Sequence, residues 1–534
     1  MIRRPPRSTH CISSAASDVY KRQIISCLTT GMLTSCELDY SPEDWYGSST
    51  FWQNEAQVDG FMVGMHKHLR DINQYIFLMG EARGGTQKTG SGSQGVSLNY
   101  SSPIKDNTFT DNNTGITNWA NFYEKILNVN EFINKVEHEC IFLDANTKNY
   151  FLGQAYGIRA YYYFHLYRTF GGVPLIKDPK VMEGVTNAES LYEPRATAKQ
   201  TLDFIKEDIT RSESAFGNNN VIKLNKGMWS KAATTMLKGE VYLWSAKVTT
   251  EDQSPASGDL GVAKEAVSSL INKNFKLLPQ FKDIFAYTNK GNDEVIFALR
   301  FVDGEAQNWA YDFTYRNANF VNTFYNVNNV KILSDTLLIQ DAGMQRHEWK
   351  EGFFVSFKDA DMRKRSTFLD YYDENGILNG TVFTKCIGTI NNSTGKRVFS
   401  DDYVIYRYAD VLLMMAEITN MEGGDVAKYI NEIRQRAYGK NYDETLYGYT
   451  NSTFEENELA ILHERDKEFV WEGKRWYDIR RMWDVNHKPL VFSAKANYDS
   501  SDPVLKESEE YKLLWPIDIN TLNNDNKLKN NPGY

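Results

Sequence analysis

With 534 residues, 41% hydrophobic and 24% charged, the chain can bury the core of one large domain or of two to three ordinary ones. Its net charge is −9; Arg3, Arg4, Arg7, Lys21 and Arg22 against Asp18 make the first 23 residues +4, which leaves −13 on the rest. So acidic a body suits nucleic acid poorly, because basic surface supplies most of that affinity.

Residues 1–23 show no apolar periodicity and resemble translated adapter sequence, so they are set aside from the fold. Residues 24–35 then form a short apolar run ending Leu33-Thr34-Ser35-Cys36. A hydrophobic residue, two small residues and a cysteine form a lipobox pattern, which makes Cys36 the expected lipid anchor after a truncated signal peptide. No later segment has enough uncharged apolar residues to span a bilayer. Of the five cysteines, Cys140 and Cys386 would stay as thiols in the mature chain. Their spacing indicates neither a disulfide framework nor a zinc site. The eight histidines are scattered, and no loop has EF-hand spacing, so no cofactor is expected beyond a possible structural calcium in the Asp/Asn-rich middle.

Helical patterns follow in order. Residues 51–72 carry a 3.6-residue apolar stripe, and 116–136 place Trp119, Tyr123, Ile126, Val129 and Ile133 on one face. The next helix should stop at Gly171-Gly172, with Pro174 beyond. Further helices are expected near 195–213, 226–248 and 260–272. Residues 279–402 hold Gly/Asn/Asp clusters and short β-like runs such as "EVIFALRF". Helices resume at 401–418, 424–437 and 455–483, before an extended end. Residues 80–103 read as a long Gly/Ser-rich loop. Helix pairs at this spacing suggest stacked αα-hairpins of the tetratricopeptide kind.

"HERDKEFVWEGKRWYDIRRMW" (463–483) interleaves five carboxylates, six basic groups and five aromatics. Its acids invite a catalytic reading. A helix explains it better: Glu464 and Glu468 fall one turn apart, and Phe469, Trp476 and Trp483 share a packing face, with the charges pairing along its flanks or capping neighbouring loops.

Several segments together resemble the SusD/RagB family of outer-membrane lipoproteins. They are "GQAYGIRAYYYFHLYRTFGGVPLI", "DADMRKRSTF", "YVIYRYADVLLMMAEI", "ERDKEFVWEGKRWYDIRRM" and "LLWPIDINTLNNDNKLKNNPGY", in family order. The resemblance implies a mainly α fold, with tetratricopeptide-type helix pairs and an irregular, loop-rich lobe carrying a few short strands. It implies one domain over 36–534: an N-terminal part to about 278, a ligand lobe over 279–402, and C-terminal helices and tail. It further implies a lipid-anchored protein on the outer face of the outer membrane. Such a protein would bind glycans, partner a SusC-like TonB-dependent transporter, and perform no catalysis. Some family members handle peptides, so a peptide ligand stays open, and a glycoside hydrolase is the remote third reading.

A glycan site needs ring faces for stacking and fixed polar groups for hydroxyls. Residues 306–320 offer Trp309, Tyr311, Tyr315, Arg316 and Asn319, and the loop after the opening helix offers Glu81 and Arg83. These seven are the expected ligand contacts. Trp119 and Trp229 lie in helix patterns and read as core.

Overall fold

The computed structural model describes residues 51–90, 101–115, 119–180, 185, 187–340 and 342–534. Cys36, the lipobox and the Gly/Ser-rich 91–100 lie outside them. Trp52–Tyr534 forms one unit.

Its helical part begins with α1 (Glu55–Phe77), α2 (Ala120–His138), α3 (Ala145–Phe170), α4 (Ala198–Phe216), α5 (Lys231–Lys247) and α6 (Asp259–Ser268). Each packs on the next in sequence, the arrangement expected of stacked helical hairpins. Local chemistry sets the ends. Asp144 caps α3 through its carboxylate, and Thr197 with Gln200 closes a capping box on α4. Gly171, at φ 80°, stops α3 where the sequence places its end.

Every residue of α3 from Tyr150 to Phe170 is buried, so this helix is the axis around which its neighbours pack. Close approach explains one of its glycines: a Cβ on Gly157 would lie 2.1 Å from Nε1 of Trp229. Trp229 and Trp119 are both buried, as their helix patterns imply.

Short antiparallel pairs make up the strand content. β1 (Gln87–Thr89) pairs with β3 (His347–Trp349), β2 (Val295–Leu299) with β6 (Tyr403–Arg407), and β4 (Phe368–Tyr372) with β5 (Leu378–Phe383). Residues 80–103 are therefore not one loop. They open with a π-helical turn, Leu78–Ala82, and then supply β1.

The C-terminal helices are α7 (Tyr408–Met421), α8 (Ala427–Tyr438), α9 (Phe454–Glu468) and α10 (Arg475–Arg481). Two sequence expectations change here. Residues 401–418 are not all helix, because the aromatic and β-branched Tyr403-Val404-Ile405-Tyr406 run is strand β6, buried at every position. Residues 455–483 are two helices, interrupted where Trp471 (φ 66°) and Gly473 (φ 73°) adopt left-handed backbone. Phe469, Trp476 and Trp483 thus share no helix face, although all are buried.

The C-terminal tail is less extended than its sequence suggests, with a 3-10 segment at Glu507–Leu513 and a short helix at Ile519–Asn524. It returns to the end of α3: Trp515 N–H donates to Thr169 C=O at 2.7 Å, and Asn531 Nδ2 donates to Phe170 C=O at 3.1 Å. Among the described residues no helix is long and apolar enough to cross a membrane.

Candidate functional site

The charges of the 463–483 segment turn inward rather than along an exposed flank. Glu468 accepts from Arg363 at 3.0 Å and Arg407 at 2.6 Å, and also from Arg436. Arg407 reaches Glu472 at 2.9 Å and Glu294 at 2.8 Å, and Lys385 reaches Glu472 at 2.6 Å. A second group joins Arg465 to Asp410 and Asp478, each at 2.8 Å, and Arg481 to Glu417 at 2.9 Å.

Burial alone would raise these carboxyls. The surrounding guanidiniums win: Glu464, beside Arg363 and Arg434, falls to about 2, and Glu468 falls well below the carboxylate range. Acids held ionised by several cations are poor proton donors, which leaves the segment a structural role: it ties α7–α10 to β2, β6 and the Asp361–Arg363 turn. The sequence hid the partners, because Glu294, Arg363, Lys385 and Arg407 come from distant segments.

Four of the seven expected ligand contacts are interior. Glu81 sits in the π-helical turn and accepts the N–H groups of Trp471 at 3.1 Å and Gly473 at 3.0 Å. Burial raises its carboxyl to about 7, against those hydrogen bonds and the charge of Lys385. Arg83 is also buried. Its guanidinium lies 3.6 Å from the Trp476 ring centroid, and it donates to Asn107 Oδ1 at 2.9 Å. The Trp309 indole is enclosed by Tyr403 at 4.9 Å, Trp471 at 5.1 Å and Phe77 at 5.8 Å. Tyr315 stacks on Phe320 at 4.0 Å, and its hydroxyl donates to Asp335. None of these four presents a face for a ligand to stack on. Pattern alone could not separate aromatics that fill the irregular lobe from aromatics that coat it.

Tyr311, Arg316 and Asn319 do reach the surface. Arg316 is exposed, whereas Tyr311 and Asn319 are half-buried. They stand on a fixed base. Asn308, fully buried, caps the Trp309–Phe313 turn through Ala310 N–H at 2.9 Å and donates to Asp401 C=O at 3.0 Å. Tyr311 C=O and Thr314 C=O accept the N–H groups of Met344 at 2.8 Å and Gln345 at 2.7 Å. Asn319 N–H closes on Arg316 C=O at 3.0 Å. A phenol, a guanidinium and an amide on one short rigid segment supply a ring face, donors and an acceptor. Beneath them Asp312 is pushed up to about 6 by burial, partly offset by Arg346 at 3.4 Å.

Comparison with known proteins agrees with this architecture. Residues 370–534 match the SusD family, and residues 38–243 match a family described as starch-binding associating with outer membrane. A SusD superfamily protein from Bacteroides fragilis is 43% identical, covering 91% of this chain and 100% of its own, with a TM-score of 0.84. B. fragilis NanU is 33% identical over 92% of this chain and 99% of its own, with a TM-score of 0.80. SusD-like protein P38 of Formosa agariphila is 25% identical, covering 95% of this chain and 97% of its own. Homologous across nine-tenths of its length to the first of these structures, the chain belongs to the SusD/RagB family.

Proposed function

We propose that this protein is a cell-surface glycan-binding lipoprotein, anchored through Cys36, that captures oligosaccharides and hands them to a SusC-like TonB-dependent transporter of the outer membrane. The observation that carries the reading is the match of residues 38–243 to a family described as starch-binding and outer-membrane-associated. The family is one of binding proteins, and the acids of its 463–483 signature are engaged in ion pairs rather than free for chemistry.

The Tyr311–Arg316–Asn319 surface is the proposed contact. Stacking of one sugar ring on Tyr311 contributes on the order of 1 kcal/mol, so capture rests on several weak contacts and release to a transporter stays easy. Affinity electrophoresis of the purified protein through a panel of neutral and acidic polysaccharides tests this. Retardation by one polysaccharide, lost in Tyr311→Ala and Arg316→Ala, is the expected result. Free migration in every gel overturns it.

A further inference from the structure

Trp52, the first residue of the folded unit, rests on α1 and α2: its ring centroid lies 4.8 Å from that of Phe61 and 5.9 Å from that of Phe132. Phe132 in turn meets Phe151 of α3 at 6.1 Å. The chain therefore enters the fold at the end of the helical part where α1 and α3 start and α2 finishes. The turn joining α2 to α3 stands at that end, about two turns of helix beyond Phe132.

Apolar side chains face water here. Ile141 is 90% exposed and Phe142 41%. Their backbone is fixed: Cys140 N–H donates to Lys135 C=O at 3.0 Å, Leu143 N–H donates to Cys140 C=O at 3.2 Å, and Asp144 caps α3. A second outward segment follows α4. Lys223 Nζ lies 4.6 Å from the Tyr150 ring, in the second turn of α3, and the neighbouring Val221 and Leu224 are 50% and 60% exposed. Leu224, Asn225 and Lys226 stand in succession at φ 46°, 48° and 65°, a left-handed backbone that is costly for a leucine. Arg300 Nη1 holds it by donating to Leu224 C=O at 2.9 Å. Apolar side chains held outward on fixed backbone, part of it strained, mark an interaction surface.

The tether says what that surface meets. Sixteen residues separate Cys36 from Trp52, a reach of about 55 Å at full extension. A folded unit as long as Trp52–Tyr534 is about 60 Å across. An anchored chain therefore keeps the end at which it joins the fold nearest the bilayer. Lys148 and Lys223 stand among Glu137, Glu139 and Asp144 around the exposed side chains, so attraction there rests on apolar area rather than on net charge.

We propose that the Ile141–Phe142 turn and the Leu224 segment seat the protein on the lipid surface beside its anchor, with their side chains in the boundary between headgroups and acyl chains. The proposal rests on the Cys36 anchor of the preceding reading and goes beyond it, since a tether alone sets no orientation.

The test uses the acylated full chain in vesicles of phosphatidylethanolamine with a minority of phosphatidylglycerol. A nitrobenzoxadiazole label is placed on Ile141→Cys, on Leu224→Cys, or on Leu333→Cys, an exposed position in the lobe that carries the proposed glycan contact. Wild type, whose Cys140 and Cys386 are buried, gives the labelling background. These vesicles hold no transporter, so a signal reports lipid. At the first two sites the emission should shift to the blue and fall at least about twofold when brominated acyl chains are included, in low and high salt alike, while the Leu333 site keeps its aqueous spectrum. Phe142→Asp should reduce the shift at both sites with an unchanged melting temperature. An acylated protein whose Ile141 label stays aqueous, or whose Leu333 label is quenched as strongly, overturns the proposal and leaves the anchor standing. Cys36 found unmodified by mass spectrometry overturns both.

Discussion

Arg407 and Glu472 meet side-on, Nε at 2.9 Å and Nη2 at 3.0 Å from the two carboxylate oxygens, with both side chains almost wholly excluded from solvent. The same guanidinium also reaches Glu294 and Glu468. One cation thus answers three buried acids contributed by a strand edge and by the helix break.

Removing it leaves those acids one cation short, with Arg436 still on Glu294 and Glu468 and Lys385 on Glu472. Arg407→Met should destabilise the fold by about 3–5 kcal/mol, the usual cost of breaking a buried pair from one side. Urea unfolding followed by circular dichroism checks this. A loss under about 1 kcal/mol would show that the network is dispensable.

Trp309 and Arg316 should separate stability from binding. Trp309→Ala empties a cage of aromatic rings and should cost about 3–5 kcal/mol, lowering the melting temperature and weakening every function together. Arg316→Ala lies on the surface and should stay within about 0.5 kcal/mol of wild type while losing polysaccharide retardation.

The stability contributed by Glu81 and Asp401 should fall as the pH rises from 5.5 to 8, against the buried histidines His66 and His347, which are lowered to about 4 and contribute in the opposite sense. Glu81 and Asp401 are each raised by burial to about 7, so at these two sites the folded state binds more protons than the unfolded chain above pH 4.5. Their contribution is complete below the ordinary carboxylate range and is lost as pH passes through 7. For Glu81 the shift corresponds to about 3 kcal/mol. Glu81→Gln should remove its share, read as a difference in melting temperature between wild type and variant that changes as the pH passes through 7. Glu464 works in the opposite sense: its stabilisation is present above the ordinary value and disappears as pH falls towards 2.

Gly157→Ala should destabilise by about 1–3 kcal/mol through overpacking, because its methyl would meet Nε1 of Trp229 at 2.1 Å. Thermal unfolding distinguishes it from Gly60→Ala on α1, where no atom lies within 4 Å and the added methyl should be tolerated or mildly stabilising.

The helical half was legible because its punctuation is local. Gly171 ended α3 as its position implies, and the Thr197 and Thr453 capping boxes start α4 and α9. Strand β6 was not, since a run that is apolar at every position has no period to betray it. Burial of the 463–483 charges was equally hidden. Spacing along a helix shows which charges neighbour one another, but not that Arg363, Arg407 and Arg436 arrive from elsewhere to meet Glu468. At the candidate site the segment was found but its depth was not. Trp309, Tyr311 and Tyr315 differ little in sequence context, yet only Tyr311 of the three escapes the interior.

The return of Trp515 and Asn531 to the end of α3 also sets a timing. Thr169 and Phe170 lie far along the chain from their partners, Asn531 standing 361 residues beyond Phe170. Closure of this core is therefore a long-range pairing, whose loop-closure entropy is met before its hydrogen bonds contribute, and it belongs late in folding.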